Sequence, residues 1–183
     1  MVRGATPRTA LGSPIPTSML PPPCQVDRSN VSRVSKRTLE QLPSWAVELL
    51  QAAPVARLGL LDAEGRPRVL PVTFAVVDGA LWSAVDDKPK RRHGEHVARV
   101  RWLRSRPESA LTVDHYEDDW TRLAWVQILG RTTVLDPAGK EQVMEALAAR
   151  YPAYRAQPPR GPLLRLAPER AICWRAADAE FPP

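Results

Sequence analysis

The chain has 183 residues, 44% of them hydrophobic and 25% charged, which suffices for one domain with its own core. Its formal net charge of +6 is uneven: residues 1–38 hold Arg3, Arg8, Arg28, Arg33, Lys36 and Arg37 against Asp27 alone, so +5 falls there and +1 on the rest, and the basic balance argues only weakly for nucleic-acid binding by the folded part. Cys24 and Cys173 make no disulfide framework, which points to a reducing, cytoplasmic setting, and no apolar run approaches the length that crosses a bilayer.

Residues 1–37 carry Pro7, Pro14, Pro16 and Pro21-Pro22-Pro23 among Ser, Thr and Arg, with no apolar period. Such a segment cannot bury enough surface to offset its ordering entropy. It is read as a disordered tail, in which Met19 offers another start, and residues 38–183 are read as the domain. A helix is expected over Thr38–Ala53, with Leu39, Leu42, Val47, Leu49 and Leu50 as its stripe, Ser44 as candidate cap and Pro54 as terminator. Val55–Leu61 reads as a strand that stops at the turn Asp62-Ala63-Glu64-Gly65.

Two apolar runs follow, Arg68–Val77 and Ala80–Val85, separated by Asp78-Gly79. Asp-Gly between apolar runs is a strong hairpin signal, because Gly accepts positive φ without steric cost. The second run leads into Asp86-Asp87-Lys88-Pro89-Lys90-Arg91-Arg92. A cationic loop at a strand end suits an anionic ligand, but from the residues alone a charge run reads first as a solvated surface.

His96–Arg106 reads as a basic amphipathic helix with Val97, Val100 and Leu103 on one face and Trp102 at its border. Ser109–Val113 is a strand, Asp114–Trp120 a turn, and Arg122–Leu135 a long strand with Gly130 at a bulge or bend. Pro137–Arg150 is a helix with Val143, Met144 and Leu147 inward and Lys140, Glu141 and Arg150 outward; Tyr151–Pro162 is a Pro-rich loop. Leu163–Leu166 and Ala171–Trp174 form a last strand pair, or one strand broken near Pro168. Six or so short antiparallel strands with flanking helices make a mainly β, α+β chain, and a small barrel would remove the exposed sheet edges.

Motifs with a mechanism are sparse. His93, His96 and His115 match no metal-ligand spacing, so no metal is expected. There is no G-x-S-x-G, no Gly-rich phosphate loop and no dinucleotide fingerprint.

The segments PRVLPVTFAVVDGALWSAVDDKPKR and VDHYEDDWTRLAWVQILGRTTVLD resemble the flavin and deazaflavin split-barrel family related to pyridoxamine 5′-phosphate oxidase, and within it the proteins that bind coenzyme F420. The resemblance runs from about Leu39 to Ala176. It implies an FMN-binding type of split barrel, a homodimer, and a cofactor lying across strands of one subunit close to the partner. The ring edge would meet the backbone of Val69, Leu70, Pro71, Val72 and Thr73, and the phosphate would meet Ser83, Lys88 and Lys90. Arg68 and Arg91 are implied as contacts for the anionic tail of F420. Trp120 or Trp125 would wall the ring, and Gln127 would offer a polar contact. Lys and Arg suit phosphate and carboxylate partners.

The implied activity is an F420-dependent oxidoreductase acting by hydride transfer on a small organic substrate, with few protein catalytic groups, since the cofactor carries the chemistry. Solvent, Tyr116 or a partner residue would supply any proton. FMN in place of F420 is an alternative, as it lacks the glutamyl tail and needs fewer cations. A cofactor-binding, storage or sensor protein without turnover is another. Nucleic-acid binding, suggested only by the tail and the Arg-rich helix, would show a steep salt dependence.

Overall fold

The computed structural model describes residues 39–86 and 97–176. The proposed tail, the loop with Lys88, Lys90 and Arg91, and His93 and His96 lie outside the described residues. The order is a 3-10 turn (Leu39–Gln41), α1 (Ser44–Ala52), β1 (Ala56–Leu61), β2 (Pro67–Val72), β3 (Ala75–Val77), β4 (Ala80–Ala84), α2 (Ala98–Ser105), β5 (Glu108–His115), a 3-10 turn (Trp120–Arg122), β6 (Ala124–Leu135), α3 (Glu141–Arg150), α4 (Pro152–Ala156) and β7 (Leu163–Arg175).

All seven strands form one antiparallel sheet in the order β2-β1-β5-β6-β7-β4-β3. Its two edge strands, β2 and β3, are consecutive in the chain and are joined by Thr73 and Phe74 alone. The edges must therefore come back to one another, and the sheet curls into a barrel that is split at that joint. The expected six or so strands become seven because the run Arg68–Val77 breaks there. The turn behaves as its sequence dictates: Asp78 (φ 49°) and Gly79 (φ 67°) both adopt the left-handed conformation required by a two-residue hairpin loop.

Alternation along the strands separates two apolar layers. Leu58 and Leu60 of β1, Val72 of β2, Leu81 of β4, Leu111 and Val113 of β5, Val126 and Ile128 of β6, and Leu164 and Leu166 of β7 fill the interior with Phe74. Helix α1 adds Ala46, Leu49 and Leu50, and α2 adds Leu103. The second layer lies outside the wall, where Ala75, Val77, Ala80, Trp82, Ala84 and Leu163 pack against Val143 and Leu147 of α3 and Tyr154 of α4.

Several local expectations change. Pro43 occupies the N-cap position of α1 without a side-chain bond, so Ser44 is the first helical residue and not the cap. The loop reading of Tyr151–Pro162 gives way to the short helix α4, with Pro152 in its first turn, a place where the missing N–H costs nothing. Arg150 does not face outward. Its guanidinium donates to the carbonyls of Leu50 and Ala53 at the end of α1 and stacks 4.3 Å over the Phe74 ring.

The last strand is single. Its irregularity is a bulge: Leu129 pairs with Arg170 but Gly130 pairs with Pro168, leaving Glu169 as the extra residue. Gly130 is required there by space, since a Cβ would fall 2.0 Å from the Ala167 carbonyl oxygen. A Cβ at Gly79 would meet nothing within 4 Å. Gly130→Ala should therefore cost about 3 kcal/mol, the upper end of overpacking, and Gly79→Ala about 1 kcal/mol of backbone strain. Denaturant midpoints of the two variants test this; equal losses would show that the bulge relaxes freely.

Candidate cofactor site

The outer face of the wall is only half covered. Helices α3 and α4 shield β3 and β4, but the outward residues of β2, β1, β5, β6 and the end of β7 carry no covering element among the described residues. On this bare face one register row runs Val69–Gly59–Ala110–Leu129, and the next runs Pro71–Arg57–Thr112–Gln127–Ile172. Asp114, Trp125 and Trp174 form a third. Val69 is 67% exposed and Trp174 46%. Gly59 and Ala110, having little side chain, leave a shallow groove of about 450 Å³ between Val69, Leu61 and Leu129. Arg57 pairs with Asp114 across the face, and Gln127 donates to the Thr112 hydroxyl at 3.2 Å.

Strand β2 borders this face and is a sheet edge. Pro67 and Pro71, four apart, share one parity with Val69. Neither has an N–H to give to β1, so they suit the positions whose backbone turns away from the sheet. Val69 lies between them and is left as the one N–H donor on that stretch of free edge, with carbonyls on either side. The same prolines hinder another strand from pairing here.

The expected site residues therefore divide. Val69, Pro71, Trp125 and Gln127 share the bare outer face, and Trp120, 74% exposed, sits on the turn that leads into β6. Arg68, Leu70 and Val72 have the opposite parity. Val72 is buried in the core, and Arg68 lies over the Trp102 ring of α2 at 5.5 Å and within 4.0 Å of Asp62. Ser83 pairs with Leu164 on the interior side, and its buried hydroxyl has no hydrogen-bond partner among the described residues. Lys88, Lys90 and Arg91 lie outside the described residues.

Thr73 stands where the covered and bare faces meet. Its hydroxyl is 2.7 Å from the Tyr154 hydroxyl, which in turn donates to Asp86 at 3.2 Å. The neighbouring Tyr151 hydroxyl accepts from the Phe74 N–H and donates to the Phe74 carbonyl, each at 2.9 Å. Burial pushes the Tyr154 hydroxyl up to about 12, against the pull of Thr73. Burial lowers the Arg99 guanidinium from its ordinary value, and Asp86 opposes that shift. This cluster of Thr73, Asp86, Arg99, Tyr151 and Tyr154 was not anticipated from the sequence. The one trace was Tyr-x-x-Tyr after α3, a spacing that puts both rings on one side only if the segment is helical.

A barrel closed through a bent edge strand, with helices at α1 and α2 and a half-bare outer wall, is the split-barrel fold. The family profile described as pyridoxamine 5′-phosphate oxidase matches residues 42–175, and the chain belongs to that family. Solved structures share the fold at low identity. A conserved hypothetical protein of Mycobacterium tuberculosis is 16% identical with a TM-score of 0.61, the match covering 75% of this chain and 87% of that one. An FAD-binding protein of Mesorhizobium loti is 21% identical (TM-score 0.53; 72% and 94% covered). The heme storage protein HutZ of Vibrio cholerae is 18% identical (TM-score 0.56; 73% and 93% covered). No curated protein matches the sequence. Among the described residues no group of His, Cys, Asp or Glu is placed to hold a metal, and no helix is long and apolar enough to cross a membrane.

The turn before β2 is set by Asp62, a buried carboxylate that accepts from the N–H groups of Glu64 and Arg66 and from the Arg66 guanidinium. Burial raises its pKa, but these donors outweigh burial and hold the group below the ordinary aspartate value. A depressed folded-state value means stability that is present above the unfolded value, about 3.9, and is lost as pH falls through the folded one. Asp62→Asn should melt below the parent at neutral pH, and the gap should close in acid below pH of about 4. Melting curves across pH check it; a gap that stays constant into acid would place the effect elsewhere.

Proposed function

We propose that the protein is a homodimeric oxidoreductase that binds F420, or FMN in its place, along β2 on the bare outer face, where the second copy completes the site. The observation that carries this reading is the half-covered wall. A mixed face that leaves Val69 and Trp174 exposed beside a proline-blocked strand edge, with Arg57, Asp114, Thr112 and Gln127 as its polar groups, suits a partner or ligand surface. In a chain of this family it is a natural place for a flat ring and a partner.

The residues present suit such a group. The Val69 N–H and its flanking carbonyls offer non-titrating partners for the edge of a flavin-like ring. The small side chains of Gly59 and Ala110 leave room, and Trp125 with Gln127 supplies an aromatic and a polar wall. Lys88 and Lys90, which follow β4 closely in the chain, are proposed to neutralise the phosphate, and Arg68 and Arg91 the further anionic groups of F420; Ser83, whose side chain turns to the interior, is left out of this outer-face site. When bound, the cofactor supplies hydride transfer with an electrophilic carbon of a small organic substrate. The chain's own part is to hold the ring, exclude water by dimerisation and balance the anionic end.

Binding of F420, FMN and duplex DNA by the full-length protein should be measured side by side at fixed ionic strength. A deazaflavin or flavin should bind and DNA should not. Lys88→Ala and Lys90→Ala should each weaken the bound cofactor about ten- to a hundredfold, equivalent to about 1.5–3 kcal/mol for a lost charge-assisted contact. The bound absorbance band should keep its shape, because the ring contacts remain. Arg150 is unsuitable as the control cation because it braces α1 and Phe74; Lys140, at the start of α3, serves instead. Parent-like affinity in both lysine variants would overturn the placement of the anionic end. Light scattering should report a dimer at micromolar concentration, and a monomer would remove the composite site. Binding without turnover of any electron-accepting substrate would favour the storage or sensor reading.

A further inference from the structure

We infer that Tyr154 is a positioning residue whose hydroxyl fixes Thr73 as a hydrogen-bond acceptor at the border of the bare face, so that the ligand group seated against Thr73 presents an N–H or O–H and not a phosphate. This rests on the cofactor reading above and adds to it the polarity of one contact. Three oxygens stand in line: Thr73 Oγ1, Tyr154 Oη 2.7 Å away, and Asp86 Oδ2 3.2 Å beyond it. A carboxylate only accepts, and each hydroxyl has one proton to give. Tyr154 gives its proton to Asp86. Its contact with Thr73 can then be satisfied only by Thr73 donating to Tyr154.

Thr73 therefore has its single proton directed away from the bare face, toward α4, and turns only lone pairs to whatever else approaches. The positive charge of Arg99 acts on Asp86 and favours the anionic acceptor that sets this order. Tyr154 is itself 5% exposed and packed between α3, β3 and β4, so its ring holds the hydroxyl in place. Next to it, Tyr151 binds both backbone groups of Phe74, which fixes the height of Thr73 on the wall. A phosphate oxygen would meet an acceptor at Thr73 and be repelled. A ring N–H or a ribityl hydroxyl would be matched.

The test uses the full-length protein and three probes: FMN, riboflavin, which lacks the phosphate, and lumiflavin, which lacks the phosphate and the ribityl chain. Affinities are read by quenching of flavin fluorescence in the parent and in Thr73→Val, Thr73→Ser, Tyr154→Phe and Thr73→Val/Tyr154→Phe. Thr73→Val removes one neutral hydrogen bond and should weaken FMN and riboflavin equally, by about three- to tenfold, leaving their affinity ratio unchanged. An equal loss for lumiflavin assigns the donor to the ring, and an unchanged lumiflavin assigns it to the ribityl chain. Thr73→Ser, which keeps the hydroxyl, should bind as the parent does.

Tyr154→Phe should weaken binding less than Thr73→Val does, and the double variant should match Thr73→Val alone, because both changes act through one oxygen. Loss confined to FMN would overturn the inference by placing the phosphate at Thr73. Full additivity of the two substitutions would overturn it by making Tyr154 merely structural. A parent that binds none of the three flavins nor F420 would overturn the cofactor reading and this inference with it, whereas a parent that binds while Thr73→Val is silent overturns the inference alone.

Discussion

Phe74 carries a backbone N–H and a carbonyl that no strand pairs, and both end on the single hydroxyl of Tyr151. The demand comes from topology. A sheet whose first and last strands are neighbours in sequence must turn one into the other, and the residues at the turn leave the ladder of both. Buried backbone groups without partners cost free energy comparable to a lost hydrogen bond, and Phe74 is fully buried. One side chain acting as donor and acceptor together replaces the missing strand. Arg150 completes the clamp: it stacks on the Phe74 ring and reaches the last carbonyls of α1. The α3–α4 junction therefore ties the first helix, the split in the barrel and, through Tyr154, the end of β4 to one point.

How far this was legible in the sequence follows from which forces are local. The hairpin at Asp78-Gly79 is a property of two residues and was readable as such. The alternating strands β5 and β6 were readable because one face of each is core. The core face of α3 followed from its period. Arg150 was misread because helical periodicity records which side of a helix is apolar, and carries no information about the unpaired carbonyls that another helix brings up to it. Tyr151–Pro162 was misread because five prolines and glycines around α4 hide a single helical turn whose purpose is to aim two hydroxyls at β2 and β4. Pro168 reads locally as a break, but in the sheet the irregularity is absorbed by the bulge at Glu169 opposite Gly130.

The candidate site was legible in part, and the part is instructive. The run from Val69 to Thr73 was singled out as one ligand-facing strand, and strand parity divides it. Val69, Pro71 and Thr73 turn outward while Leu70 and Val72 turn to the core. Ser83 and Trp125 likewise lie on opposite sides of the wall. A linear motif does not distinguish these cases, because register with β1 and β7 decides them. What the motif does capture is the pair of prolines. In a central strand they would each remove a ladder bond; at a free edge they cost nothing and discourage strand addition.

Local rules are broken in one neighbourhood. Prolines in a strand, an unpaired joint, a half-buried arginine and a half-buried tyrosine–carboxylate contact all fall within the short stretch from β2 to the end of β4 and the helices behind it. Natural proteins tend to violate consistency where function requires it and to compensate nearby. Here the compensation is visible in each case: the prolines face a free edge, the joint is satisfied by Tyr151, and Arg99 and Asp86 offset one another's charge. The opposite side of the barrel, β5 through the middle of β6, has regular pairing over eight residues and a mainly apolar interior built on Leu111, Val113, Val126 and Ile128. A fold that keeps one half regular and concentrates its irregular polar groups beside a bare face has the asymmetry expected of a rigid scaffold holding a binding edge.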